Sequence, residues 1–192
     1  MRELLLGVIE RLLSEGLAFN DISIDVLVSE ADIARSTFYV YFEDKGDLMR
    51  AWMSDAQAQA AKAAEGWWAL DGDSTRDDLR AVQLRLLGAY RPHVTLLDAC
   101  HDGAATDPEL RAALEERLSA DAAALRKHIR AGQKAGFVDP ELSAPDVADV
   151  IARMFERGVQ RLLKDVSDDK FQKLVGAYTD IIWNTLYAPT RR

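Results

Sequence analysis

Two aromatic residues four apart, Phe38 and Phe42, constrain the N-terminal part of this chain more than any other feature. In the segment Arg35-Ser36-Thr37-Phe38-Tyr39-Val40-Tyr41-Phe42-Glu43-Asp44-Lys45, helical spacing puts both rings on one face, where they can be buried together. Arg35, Ser36, Tyr39 and Val40 then point the other way, with Thr37 and Tyr41 between. A helix that turns a guanidinium, hydroxyls and an aromatic ring outward is built to touch something. The preceding run, Ser23 to Ala31, reads as a second short helix, and only Asp32-Ile33-Ala34 separates the two. Helix, three-residue turn, helix is the spacing of a helix-turn-helix, whose second helix enters the major groove of DNA.

The flanking residues support a small helical core. Over residues 2 to 15, Leu4, Leu5, Val8, Ile9, Leu12 and Leu13 recur at three- and four-residue steps, and Gly16 is a C-cap glycine. Phe19, Ile22 and Ile24 continue the core. Ser23 is a good N-cap, and the helix dipole favours Asp25 in the first turn after it.

On these residues the chain resembles the DNA-binding domain of the TetR family of bacterial transcriptional regulators. The resemblance covers residues 1 to 50 and rests on Ala31 through Phe42, followed by Lys45 and Leu48. The remaining residues, 51 to 192, are similar in helix layout, with a looser likeness to the EthR-like branch. The resemblance implies a homodimer that reads a pseudo-palindromic duplex, is usually a repressor, and is released from DNA by a small-molecule effector. It carries roles to matching positions: Arg35, Ser36, Tyr39 and Val40 on base edges, and Ser23, Thr37, Tyr41 and Lys45 on phosphates. Asp32 stands where relatives have a left-handed glycine, a conformation Asp tolerates better than most residues. Ala34 replaces the usual Ser or Thr cap of the recognition helix, a loss of about 1 kcal/mol.

Composition narrows the rest. With 192 residues, 48% of them hydrophobic, the chain is long enough for a real core of one or two domains, and five prolines with pervasive helical spacing imply an all-α protein. A single cysteine, Cys100, forms no disulfide within the chain and suits a reducing cytoplasm. No apolar run reaches the roughly 18 residues of a membrane span. The first residues, interrupted by Glu10 and Arg11, do not read as a signal peptide. The net charge is −8. Within residues 1 to 50, Arg2, Arg11, Arg35, Lys45 and Arg50 face ten acidic residues, 5 − 10 = −5. That is an unusual footprint for a DNA binder and predicts weak non-specific binding.

Further on, a long helix is expected from about Asp44 to Trp68, then helices over 77–90, 93–100, 108–135, about 144–165 and 168–187, for about nine in all. Pro92 breaks the chain between two of them, and Asp107 caps the helix that opens with Pro108. The division is a helix-turn-helix domain over 1–50 and a ligand-binding and dimerisation domain over 51–192. Family architecture puts a pocket among the middle helices, with Trp67, Trp68, Leu86, Tyr90, His93, Leu97, Cys100, Ile129, Met154 and Phe155 as candidate lining. Apolar walls with a few polar groups suit an apolar or aromatic ligand, though core packing accounts for many such residues. Trp67 and Trp68 are adjacent and so are not expected to share a face; one belongs in the core. The last two helices carry more apolar residues than one stripe needs. Val159, Leu163, Tyr178, Ile182, Trp183 and Leu186 are therefore expected at a two-fold dimer interface, where the resemblance puts a four-helix bundle.

Other chemistry finds little support. His93, Asp98 and His101 match no common metal spacing, so neither metal nor cofactor is expected. Glu156 reads as a partner of Arg153 or Gln160, or as a pocket carboxylate. The chain lacks a glycine-rich phosphate loop, a serine elbow and a helical pair of metal-binding histidines, and is not expected to be an enzyme. The acidic reader and the uncapped recognition helix leave one rival, a dimeric helical small-molecule-binding protein that has lost DNA binding.

Overall fold

Three- and four-residue apolar spacing becomes nine α-helices, with no strand, among residues 1–191, which the computed structural model describes. They are α1 Arg2–Ser14, α2 Ile24–Glu30, α3 Arg35–Tyr41, α4 Lys45–Trp68, α5 Arg76–Tyr90, α6 Val94–Gly103, α7 Pro108–Ala135, α8 Ala144–Leu162 and α9 Asp168–Ile182. Short 3₁₀ turns occupy Phe19–Asp21, Arg91–His93 and Ala188–Arg191, and α9 runs on into a π-helical turn, Trp183–Tyr187.

Local chemistry explains the boundaries. Gly16 follows α1 at φ +97°, a conformation that L side chains rarely adopt. The Ser23 side chain accepts a hydrogen bond from the Val26 amide at 3.2 Å and caps α2. Asp32 takes φ +51° in the turn, as its type allows. Ala34 gives α3 no side-chain cap. Thr75 and Asp78 form a capping box that starts α5. Asp107 Oδ1 accepts from the amides of Glu109 and Leu110, at 2.9 and 3.0 Å, at the start of α7. Two boundaries differ from expectation. Helix α6 runs three residues past Cys100 to Gly103, because Ala99, Cys100 and Gly103 continue a buried stripe. Helix α8 stops at Leu162, ahead of Asp165 in the left-handed region.

The chain forms two compact units, residues 1–57 with 93–116, and 58–92 with 117–192. Helices α4 and α7 contribute residues to both. In the first unit Leu5, Ile9, Leu12, Phe19, Ile22, Leu27, Phe38, Leu48 and Met49 are buried, and α6 supplies Leu96, Leu97 and Cys100. In the second, α5 and α9 run antiparallel, bonded by Arg76–Asp180, Arg80–Gln172 (2.9 Å) and Arg91–Asp168 (2.6 Å). The core between the helices contains Trp67, Leu79, Val82, Leu86, Leu125, Ile129, Ile151, Ile182, Leu186 and Tyr187.

The close pairing of α8 with α9 depends on Gly158. Tyr178 stacks on Phe155 at 4.8 Å between centroids and donates its hydroxyl to the Met154 carbonyl at 3.3 Å. A Cβ on residue 158 would lie 1.3 Å from that hydroxyl oxygen. In an open helix interior a Gly-to-Ala change normally stabilises by about 1 kcal/mol. Here we expect Gly158→Ala to destabilise by about 1–3 kcal/mol, because Tyr178 must leave its rotamer. A urea unfolding midpoint at or above wild type would show that the ring moves aside without cost.

Candidate functional site

The exposed face of α3 is built around one buried ring. Phe38 is fully buried and Phe42 nearly so, their centroids 5.8 Å apart, which turns the opposite side of α3 to solvent. On that side Val40 is 77% exposed, Tyr41 56% and Tyr39 46%. A valine with most of its surface in water, on a seven-residue helix flanked by two exposed tyrosines, has no folding role. Arg35 and Ser36 are also exposed, and Thr37 is half-buried. Ser23 is exposed, but its oxygen is already engaged as the α2 cap. Six of the eight residues assigned to DNA contact, Arg35 through Tyr41 without Phe38, thus sit on the one short helix.

Lys45 is placed otherwise. Its half-buried ammonium points inward, donating to the Phe19 carbonyl and, at 2.7 Å, to the Ile22 carbonyl, and lies 4.1 Å from the Phe19 ring centroid. Burial lowers its pKa, against the pull of Asp21. It ties the start of α4 to the turn before α2. The other cations of residues 1–50 are also engaged within the chain. Arg2 pairs with Asp55, and Arg11 with Glu15 and Glu30. Arg35 pairs with Asp25, and Arg50 with Glu109 at 3.1 Å and more loosely with Asp44, Asp47 and Asp107. The outward polar groups of α3 are therefore mostly hydroxyls.

In the second unit the aromatic side chains form a connected set. Trp67 is 2% exposed and Trp68 38%, yet their rings stack, with centroids 5.6 Å apart and planes 12° apart. Trp67 thus sits in the core and Trp68 at the surface, as expected for adjacent helical positions, while their rings still touch. Trp67 also meets Phe155, Trp68 meets His128, and His128 meets Phe137 and Tyr187. Trp67 Nε1 can only donate, so the Tyr187 hydroxyl oxygen accepts from it at 3.0 Å. His128 Nε2 lies 2.9 Å from the same hydroxyl, within hydrogen-bond reach. Burial pushes His128 down to about 4.

A second buried polar group lies nearer the α5 end of this unit. Arg117 is 8% exposed and its Nε has no partner among the described residues. Burial raises the pKa of Tyr90 and of Asp121; Arg117 opposes both shifts, and Glu156 adds to that of Asp121. Gln83 is fully buried, and neither amide atom has a partner among the described residues. Unfulfilled polar atoms in an apolar core cost stability unless something occupies them.

The structure thus brings together Trp67, Trp68, Leu86, Tyr90, Ile129, Met154 and Phe155 around one core cluster of the second unit. His93, Leu97 and Cys100 belong to the first unit, where His93 is edge-on to Trp52 at 5.9 Å and Leu97 and Cys100 are buried. The sequence reading missed His128, Phe137 and Arg117. The available signal was position: His128 sits three residues after Leu125 and one before Ile129, on the apolar face of α7. Five of the six residues expected at a dimer interface, Val159, Leu163, Tyr178, Ile182 and Leu186, are instead buried within the chain's own core, and Trp183 is partly buried. The apolar residues that α8 and α9 leave exposed are Val150, Leu162 and Ile181. Val147, Val150, Ile151, Met154 and Ile181 line an apolar groove there, with Asp146 and Thr185 at its edge. Among the described residues, no group of three or more His, Cys, Asp or Glu is placed to hold a metal ion, and no helix is long and apolar enough to cross a membrane.

No family model matches the chain. It is 25% identical over 150 residues to the uncharacterized helix-turn-helix-type transcriptional regulator YdgC of Bacillus subtilis, covering 76% of this chain and 72% of that one. Among solved structures it is similar to the fatty acid degradation regulator FadR of Bacillus halodurans, with TM-score 0.74 and 16% identity over 94% of this chain and 93% of that one. It is also similar to the TetR-family regulator PfmR of Thermus thermophilus, with TM-score 0.73 and 16% identity over 93% and 97%. FadR of Bacillus subtilis, solved in complex with stearoyl-CoA, aligns with TM-score 0.73 and 14% identity over 95% and 97%. The chain has the all-α fold of TetR-family regulators.

Two outcomes follow from these placements. Lys45→Ala should lower the stability of the protein by about 1–3 kcal/mol, because two carbonyls lose a buried charged donor; an unchanged thermal midpoint would assign those carbonyls to water. An unfolded His128 takes up a proton near its ordinary 6.5, the folded one only near 4. Stability from this group is thus complete above about pH 6.5 and falls as pH drops through that window. At its lower end the loss reaches about 3 kcal/mol. His128→Gln should lose correspondingly less than wild type between pH 7 and pH 4, and equal losses would contradict a neutral buried imidazole.

Proposed function

We propose that this protein is a TetR-type, sequence-specific DNA-binding transcriptional regulator, a repressor released from its operator by a small apolar or aromatic ligand. The observation that carries the reading is α3, where Val40, Tyr39 and Tyr41 stand in solvent on a helix whose other side is locked by buried Phe38. The division of labour is by role, residues 1–50 reading DNA and 51–192 binding effector and partner subunit. Val40 suits a thymine methyl and Arg35 a guanine edge, while Ser36, Thr37, Tyr39 and Tyr41 offer hydroxyls to bases and phosphates. The rival, a binding module without DNA contact, leaves an exposed valine and two exposed tyrosines on one short helix unexplained. In this reading the protein works in the cytoplasm.

The effector lies against the aromatic set of the second unit, in contact with the polar groups that lack partners there. Apolar walls and a few buried polar atoms favour a flat or long apolar body with a hydrogen-bonding head. The FadR relative that holds stearoyl-CoA makes acyl thioesters the first class to screen. Ligand shifts the population toward a dimer whose recognition helices no longer match the half-site spacing. Helix α4, which has residues in both units, transmits the change. The dimer forms through the groove face of α8 and α9, since Val150 and Ile181 are half or more exposed beside Val147 and Met154.

Selection of binding sites from random duplex DNA at low salt tests the main reading. An enriched pseudo-palindrome is expected; a folded protein that enriches nothing overturns it. For the assembly, Val150→Glu combined with Ile181→Glu should turn the dimer into a monomer of unchanged helicity in sedimentation. A dimer that survives both charges would place the interface elsewhere.

A further inference from the structure

The first residue of α3 is held by an acid from the neighbouring helix. Arg35 Nη1 donates to Asp25 Oδ1, in the first turn of α2, and Nη2 donates to the Tyr39 hydroxyl at 3.2 Å. The guanidinium carbon lies 5.6 Å from the Tyr39 ring centroid. Tyr39 in turn stands edge-on to buried Phe38, with centroids 5.5 Å apart and planes at 87°. The guanidinium is thus referred to the core through two short steps. The ion pair is exposed, with side-chain accessibilities of 54% for Arg35 and 69% for Asp25, so it adds little to folding. An acid at the edge of an already acidic reader also opposes approach to phosphates.

From this arrangement we infer that Asp25 is a positioning residue that aims Arg35 at a single guanine and thereby sets base specificity. The inference rests on the DNA-binding reading given above. An arginine at the start of a recognition helix is well placed to reach a base edge. Of its five N–H groups, Asp25 and Tyr39 occupy one on each terminal nitrogen. One N–H on each terminal nitrogen remains, together with Nε–H, enough for the paired O6 and N7 acceptors of guanine. An untethered arginine would swing to the nearest phosphate, which is the same in every sequence. The tether removes that alternative, so a wrong base leaves Arg35 with a donor opposite a donor or a methyl group. Asp25 therefore trades general attraction for contrast between bases.

The test uses the full-length protein, its selected duplex, and the three duplexes in which the guanine facing Arg35 is replaced. Asp25→Asn should reduce the preference for that guanine about tenfold, while affinity for unrelated duplexes stays level or rises. Preferences at the other positions should not change. In an Arg35→Ala background, Asp25→Asn should have no further effect on base preference. The inference is overturned if Asp25→Asn leaves the guanine preference intact, lowers every preference alike, or acts equally without Arg35. A matching thermal midpoint checks that the variant is folded. A wild-type protein that selects no duplex removes the DNA-binding reading, and this inference with it; one that selects a site and ignores Asp25→Asn removes the inference alone.

Discussion

The burial of Phe38 is the contact on which the outward face of α3 depends. A seven-residue helix is far too short to hold itself together in water, since helix nucleation is costly and each hydrogen bond returns little. Helix α3 exists because Phe38, fully buried, and Phe42 beside it anchor it to the core of the first unit. That anchoring fixes the rotation of the helix, which decides that Arg35, Ser36, Tyr39 and Val40 face outward. Lys45 fixes the far end, where its ammonium binds the carbonyls of Phe19 and Ile22. The outward face is thus positioned by inward contacts on both sides of it.

Charge then determines what kind of surface this can be. Residues 1–50 carry five cations against ten acids, and each of the five cations already has a partner within the chain. Little is left for the diffuse attraction to phosphate that dominates non-specific binding. Hydroxyls, one exposed valine and one tethered arginine remain on the outward side of α3. In the proposed DNA-binding role, such a surface relies on fit between α3 and a particular groove more than on charge.

The second unit follows a different economy of polar atoms. Trp67, Tyr187 and His128 are joined by hydrogen bonds, and burial lowers the pKa of the imidazole. Gln83 and the Nε of Arg117 are not satisfied in this way, although both side chains are buried. A core built for stability alone would fill those positions with apolar groups or pair them. Both side chains lie in the same unit as the connected aromatic set.

What the sequence determined by itself is whatever depends on neighbours along the chain. The all-α class, the helix-turn-helix, the Ser23 cap, the left-handed Asp32 and the outward residues of α3 all follow from spacing and residue type within a few turns. What only the tertiary structure decided depends on residues far apart. The inward turn of Lys45 required the carbonyls of Phe19 and Ile22 more than twenty residues earlier. The stacking of Trp68 on Trp67 arises from side-chain torsions that helical position does not set. The faces of α8 and α9 were the least legible. Both helices are apolar over more than one face, and a hydrophobic pattern does not say which stripe packs into the chain's own core. Packing settled that by closing Tyr178 onto Gly158, which turned Val159, Tyr178 and Ile182 inward and left Val150 and Ile181 in solvent. His128 was hidden for the same reason, since its lowered pKa comes from burial that no local pattern records, and its hydroxyl neighbour Tyr187 is 59 residues away.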